Sequence, residues 1–172
     1  GSEDVLIAGR TIVEEKEQAA FACWFHDKTL HTIFSDALPG RLRTLLIQDI
    51  DKDGKIEIIS GGRSDVGDAS LGRLDLSYLE GDSLHQQSRY CWTGAGATRI
   101  RALAPYPQGS AFFAVGRSQV RVPGKNRPLW AGYIGKFGIR DGRIVPCAEP
   151  RYFRLAKETR FRSAVYFGQD RL

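Results

Sequence analysis

The sequence predicts an all-β fold of short antiparallel strands arranged in a repeated four-stranded unit, and three observations carry that prediction. An apolar run closing on a Gly-Arg step occurs three times, in Val5-Leu-Ile-Ala-Gly9-Arg10, Glu57-Ile-Ile-Ser-Gly-Gly62-Arg63 and Phe112-Phe-Ala-Val-Gly116-Arg117, at intervals of 53 and 54 residues. A second marker, Arg-apolar-Arg-small-apolar, occurs in Arg41-Leu42-Arg43-Thr44-Leu45, Arg99-Ile100-Arg101-Ala102-Leu103 and Arg160-Phe161-Arg162-Ser163-Ala164. Nineteen glycines and the lack of any capped 3.6-residue period suit many tight turns between strands better than helices.

Taken in order, the first unit opens with the strand ending at Gly9-Arg10. Residues 11–20, Thr-Ile-Val-Glu-Glu-Lys-Glu-Gln-Ala-Ala, fit either a helical turn or two or a long connection between strands. A hairpin follows over 18–26 and 29–34, turning at Asp27-Lys28. The second unit runs through 41–48, 57–63 and 71–79, and the last of these alternates apolar and polar from Leu74, the pattern of a half-buried strand. Glu80-Gly81-Asp82 is its turn and 83–92 its return strand. The third unit repeats the order over 99–103, 112–117, 128–139, the turn Arg140-Asp141-Gly142, and 143–147. A last strand is expected at 160–168.

A small twisted sheet cannot bury both faces alone, so four-stranded units at this period are expected to stack radially as blades of a β-propeller. With strands named a to d, the chain reads bcd, abcd, abcd, a. Blade 1 covers about 4–38, blade 2 about 41–94 and blade 3 about 99–155, and 160–168 is strand a of the next or the first blade, all within a single domain of 172 residues. Rings need roughly four to eight blades. Two copies are therefore expected to complete a six-bladed ring, or the chain is a piece of a longer propeller. The start at Gly1-Ser2 and the absence of methionine fit a piece of something longer.

The net charge of +5 and a pI near 9.3 favour acidic partners without naming one. No run is long and apolar enough for a membrane-spanning helix, and the acidic N-terminus is not a signal peptide. Cys23, Cys91 and Cys147 form neither a CxxC pair nor an even set, so they are expected as small buried hydrophobes. The aromatics Trp24, Trp92, Trp130, Tyr78, Tyr90 and Tyr133 fall in strands and are expected to pack in the core. No nucleophile elbow, zinc-protease motif, P-loop or dinucleotide fingerprint is present, and His26, His31 and His85 have no paired acids at useful spacing. Gly94-Ala-Gly96-Ala leads into a strand and so is not a phosphate loop.

Two features carry chemistry. In Asp49-Ile-Asp51-Lys-Asp53-Gly54-Lys55-Ile-Glu57, three alternating carboxylates can converge on one hard cation, with the Lys55 carbonyl and the Glu57 carboxylate completing an oxygen shell. The competing reading is a turn with solvated carboxylates. An EF-hand is excluded because its twelfth position is Ser60 and a β-type run follows. The stretch 49–62, followed by Gly72-Arg-Leu-Asp-Leu76, Tyr90-Cys-Trp92 and Thr98-Arg-Ile-Arg-Ala-Leu103, resembles the calcium-loop repeats of the FG-GAP and VCBS type, the blades of integrin-α head-like propellers. The resemblance is fullest over 41–98 and elsewhere rests on the two markers. It implies one structural calcium ion, an extracellular or cell-surface setting, and a scaffold binding proteins or glycans.

The second feature is the arginine repeat. Residues two apart in a strand share a face, so Arg41 with Arg43, Arg99 with Arg101, and Arg160 with Arg162 form basic pairs, while Leu42, Ile100 and Phe161 face oppositely. Either these pairs form a collar for phosphate, sulfate or carboxylate, or they brace neighbouring blades through carbonyls and acids such as Asp49. Three functions follow. The first is a non-catalytic binding module for a protein or acidic glycan. The second is a basic subunit of a larger assembly contacting phosphate-rich or nucleic-acid partners. The third is a propeller-framed lyase or hydrolase.

Overall fold

The computed structural model describes residues 5–24, 30–80, 83–106, 110–154 and 159–164. They form strands β1 (Val5–Val13), β2 (Lys16–Trp24), β3 (Leu30–Gln48), β4 (Glu57–Val66), β5 (Ala69–Glu80) and β6 (Ser83–Trp92), then β7 (Thr98–Tyr106), β8 (Ala111–Val120), β9 (Leu129–Arg140), β10 (Arg143–Pro146) and β11 (Arg151–Phe153). The first six make one antiparallel sheet in chain order. The second antiparallel sheet has the order β10-β9-β8-β7, with β11 also on β9. The fold is all-β, with no helix among the described residues.

Three details differ from the sequence expectation. Residues 11–20 are neither helix nor long connection, because β1 and β2 form a hairpin with Val13 opposite Lys16. Its two turn residues, Glu14 and Glu15, have φ of 49° and 65°. Such turns normally use Asn or Gly, so a Glu-Glu pair carries no hairpin signal. Second, the strands expected at 29–34 and 41–48 are one strand, β3. Its first part pairs with β2 and its second with β4, and the change of partner falls between Pro39, opposite Gln18, and Gly40, opposite Ser64. Third, residues 159–164 lie outside the ladders. The Phe161 amide donates to the Gly116 carbonyl at 3.2 Å, and its ring lies against Gly132. The remainder of the strand expected at 160–168 falls outside the described residues, as do His26 and the turn expected at Asp27-Lys28.

The two sheets pack face to face, β7 lying against β3, β4 and β5 and β10 against β6. Ile59, Leu74 and Leu76 from the first sheet meet Ile100, Phe112 and Phe137 from the second. Trp92 bridges them, its ring centroid 5.6 Å from Tyr133 and 5.3 Å from Phe137, with Tyr90 5.7 Å from Phe137. A backbone-to-side-chain bond adds to this seam, the Leu103 amide donating to Thr44 Oγ1 at 3.2 Å. These aromatics are in the core as expected. Trp130 instead lies beneath arginines, and Tyr78 is 37% exposed and stacked on His85. Cys91 and Cys147 are exposed free thiols, not buried hydrophobes.

The half-buried reading of 71–79 is also corrected. Leu74 and Leu76 face the second sheet, but the polar residues of the other face, Arg73, Asp75 and Ser77, are no more than 1% exposed. A second cluster, Leu42, Ile58 and Leu84 with Leu6, Ala8 and Leu45 packed against it, lies in the same sheet, with Ile58 opposite Ser77. Both faces of β5 are thus interior.

Candidate metal loop and arginine cluster

The acidic loop joins β3 to β4. Its turn is set by Lys52 (φ 64°) and Gly54 (φ 89°), the second a conformation that glycine adopts without strain. The Gly54 amide donates to Asp49 Oδ2 at 3.1 Å, the Asp53 amide to Asp51 Oδ1 at 3.2 Å and the Lys55 amide to Asp53 Oδ1 at 2.8 Å. Glu57 begins β4, is 8% exposed, and accepts from the Ile50 amide at 2.6 Å. Asp49, Asp51, Asp53 and Glu57 each offer a carboxylate oxygen, and these oxygens lie within 4.8 Å of one another. Burial pushes the Glu57 carboxyl above its ordinary range, and the neighbouring Asp51 and Asp53 charges push it further. Asp49 Oδ1 is buried with no hydrogen-bond partner among the described residues. Crowded carboxylates with an orphaned oxygen fit a hard divalent cation, which would neutralise their repulsion. Beside the loop lies a cleft of about 530 Å³ lined by Asp51, Asp53, Glu57, Tyr78, Glu80 and Gln87.

The arginine markers prove to be two halves of one local device. Arg41 pairs with Arg63 and Leu42 with Gly62, after which the ladder slips by one residue at Arg43. Arg99 pairs with Arg117 and Ile100 with Gly116, and the ladder slips at Arg101 in the same way. A Cβ on Gly62 would collide with the Arg41 carbonyl, and one on Gly116 with the Arg99 carbonyl. Glycine therefore permits the close strand approach, and Arg43 and Arg101 are each the extra residue of a β-bulge, which re-aims the side chain. Strict alternation does not hold through the bulge, so Arg41 and Arg43 are not placed by strand period alone.

The arginines of the three copies lie in one another's field. Burial lowers the Arg101 guanidinium from its ordinary value, and Arg43, Arg99, Arg162 and Arg160 lower it further. Arg43 is lowered by burial and then by Arg41, Arg63, Arg99 and Arg10. Arg99 is lowered by burial and by Arg63, against an opposing contribution from Asp65. Among the described residues the acids paired with them are Glu17 and Asp65, and not Asp49, one of the braces expected from sequence. Arg41 Nη2 donates to both Glu17 oxygens, at 2.8 and 3.0 Å; Arg63 Nη2 is 3.6 Å from Glu17 and 3.1 Å from Asp65, and Arg10 also pairs with Glu17. Arg117 lies 4.1 Å and Arg99 5.3 Å from the centre of the Trp130 ring. Along β3 eight residues separate Arg41 from Asp49, so the basic cluster and the acidic loop lie roughly 25 Å apart at a strand rise of about 3.3 Å.

Two groups escaped the sequence reading. Glu17 was hidden in the run taken for a helical turn or loop; a hairpin reading would have set it diagonal to Arg10 across β1 and β2. The other is the buried ion network of β5 and β6. Asp75 accepts from Arg73 Nε at 2.6 Å, Arg89 Nε at 2.7 Å and Ser60 Oγ at 3.5 Å, and Arg73 is fully buried. The alternation in Arg73-Leu-Asp75-Leu-Ser77 was its only trace. No family model, curated protein or solved structure matches the chain.

Proposed function

We propose that this chain is a non-catalytic binding module of β-propeller type, for a protein or an acidic glycan, with one structural calcium ion at the Asp49–Glu57 loop. The observation that carries the binding reading is that Arg41, Arg43, Arg99, Arg101, Arg160 and Arg162 lie within one another's electrostatic reach, around the cross-strand pairs Arg41–Arg63 and Arg99–Arg117. Arginine forks in a partly desolvated cluster suit the bidentate recognition of sulfate, phosphate or carboxylate. The propeller reading draws support from chain-order antiparallel pairing, from β7 lying against the preceding sheet, and from the twice-repeated Gly-Arg and Arg-x-Arg device. On that reading two copies close a six-bladed ring, and light scattering on the purified chain at micromolar concentration returns a dimer. A stable monomer sinks the ring.

The binding reading is tested on an array of neutral, carboxylated and sulfated glycans at two salt concentrations. Selective retention of acidic sugars at both salts supports it. Uniform, steeply salt-dependent capture of every polyanion favours a subunit contacting phosphate-rich or nucleic-acid partners. Equal binding to neutral sugars, or none at all, removes it. Calorimetric titration with calcium against a chelated control tests the loop, and absence of both binding heat and thermal shift removes the ion.

A further inference from the structure

Glu17 occupies the arginine cluster in a way that bracing alone does not explain. A single guanidinium nitrogen of Arg41 spans both of its oxygens, with Arg10 and Arg63 closing on the same carboxylate. This is the arrangement expected of a bound anion. Glu17 stands near the turn end of the β1–β2 hairpin. The hydrogen-bonded register between β2 and β3 begins at Gln18, so among the described residues Glu17 is paired across to β1 alone, and β1 stands at the edge of the sheet that those residues form. One pair further on, the hairpin turns through two non-glycine residues at positive φ, a conformation that costs energy. A carboxylate on such an overhang is easily moved.

The cluster also holds more positive charge than Glu17 and Asp65 offset. Among the described residues, Arg43, Arg101 and Arg162 have no carboxylate partner. The Nε groups of Arg41, Arg63 and Arg99 are buried without a hydrogen-bond acceptor among those residues. Orphaned donors in a basic, partly dry site call for an acceptor with more oxygens than one carboxylate offers.

We infer that the arginine cluster is a site for a tetrahedral oxyanion, a sulfate or phosphate group, and that Glu17 is its internal stand-in, displaced when the ligand binds. This rests on the binding-module reading and specifies its ligand and its control. A tetrahedral group presents three or more acceptor oxygens to donors approaching from the strands of successive repeats, which a planar carboxylate cannot do. The stand-in keeps the cluster compact and sets a threshold that weak or singly charged anions do not pass.

The test is calorimetric titration of the full chain with inorganic sulfate, inorganic phosphate, a heavily sulfated oligosaccharide and a carboxylate-only uronic acid oligosaccharide. The proteins compared are the natural chain, Glu17→Gln and Arg43→Ala/Arg101→Ala. The two arginines stand at bulges and neither is buried, so the double variant is expected to fold, and circular dichroism checks this. Glu17→Gln is expected to bind the tetrahedral anions about tenfold more tightly, as one competing carboxylate is removed, and the double variant to lose them. Preference for the sulfated oligosaccharide over free sulfate identifies a glycan source, and preference for inorganic phosphate a free one. If the natural chain binds and the double variant does not, but Glu17→Gln binds no more tightly, the stand-in role is overturned while the binding module survives. If neither the natural chain nor Glu17→Gln binds any of the four, both fall.

Discussion

Replacing Asp75 by asparagine removes the one carboxylate at the centre of the buried network between β5 and β6. Asp75 is 1% exposed and Arg73 fully buried, and the two are joined through Arg73 Nε and Nη2 to a single oxygen at 2.6 Å. The asparagine keeps the shape but cancels the charge and turns an NH₂ toward one of the guanidinium groups. Breaking a buried ion pair from one side costs about 3–5 kcal/mol, because the remaining charge stays out of water. At about 2–4 °C per kcal/mol for a domain of this size, the melting temperature falls by roughly 6–20 °C. The assay is urea unfolding followed by tryptophan fluorescence, with thermal melting as a second probe. The double variant Arg73→Met/Asp75→Leu recovers most of the loss, since Arg89 is 19% exposed and can turn to water. A loss below about 1 kcal/mol in Asp75→Asn, within the range of an exposed pair, refutes the reasoning, as does a double variant no better than the single one.

The remaining predictions concern the repeat and the acidic loop. Gly116→Ala pushes a Cβ against the Arg99 carbonyl and should cost about 1–3 kcal/mol in chemical unfolding. Gly9→Ala meets nothing within 4 Å among the described residues and should leave a monomer unchanged, yet weaken a ring closed through β1. Calcium at about a hundred times its dissociation constant should stabilise the chain by about 2.7 kcal/mol, and Asp51→Asn should abolish most of that gain in a melting assay. Glu57 titrates above its unfolded value, so without metal the cost of its charge is absent below the unfolded pKa and grows as pH rises through the folded one. With calcium the sign reverses: affinity falls as pH falls through the folded pKa of Glu57, at higher pH than for an ordinary carboxylate, and titrations across that window read it.

What was legible in the sequence is what two repeats state twice. The Gly-Arg and Arg-x-Arg markers placed the second part of β3, β4, β7 and β8 within a few residues, because each marks a physical necessity: a close strand approach at Gly62 and Gly116, and a bulge at Arg43 and Arg101. The acidic loop was readable as a turn that gathers carboxylates, since its alternating aspartates and Gly54 bring Asp49, Asp51, Asp53 and Glu57 together. The β1–β2 turn was not readable, since Glu14 and Glu15 adopt positive φ with none of the residues that normally announce it. Nor was the burial of Arg73 and Asp75. A polar face on a strand normally reads as solvent, whereas here Arg73, Asp75 and Ser77 are interior and the charge of Asp75 is paired with Arg73 and Arg89. Glu17 was lost with the hairpin, and with it the anion that the arginines already hold.

The central claim is that separate repeats bring their arginines to one anion site, and the guanidinium resonances report on it directly. In a titration of the labelled chain with a sulfated oligosaccharide, the Nε–Hε signals of Arg43, Arg101 and Arg162 should move together along one binding curve, with Arg41 shifting as Glu17 is released. Arginine signals that stay still, or changes confined to residues 49–57, would contradict the account.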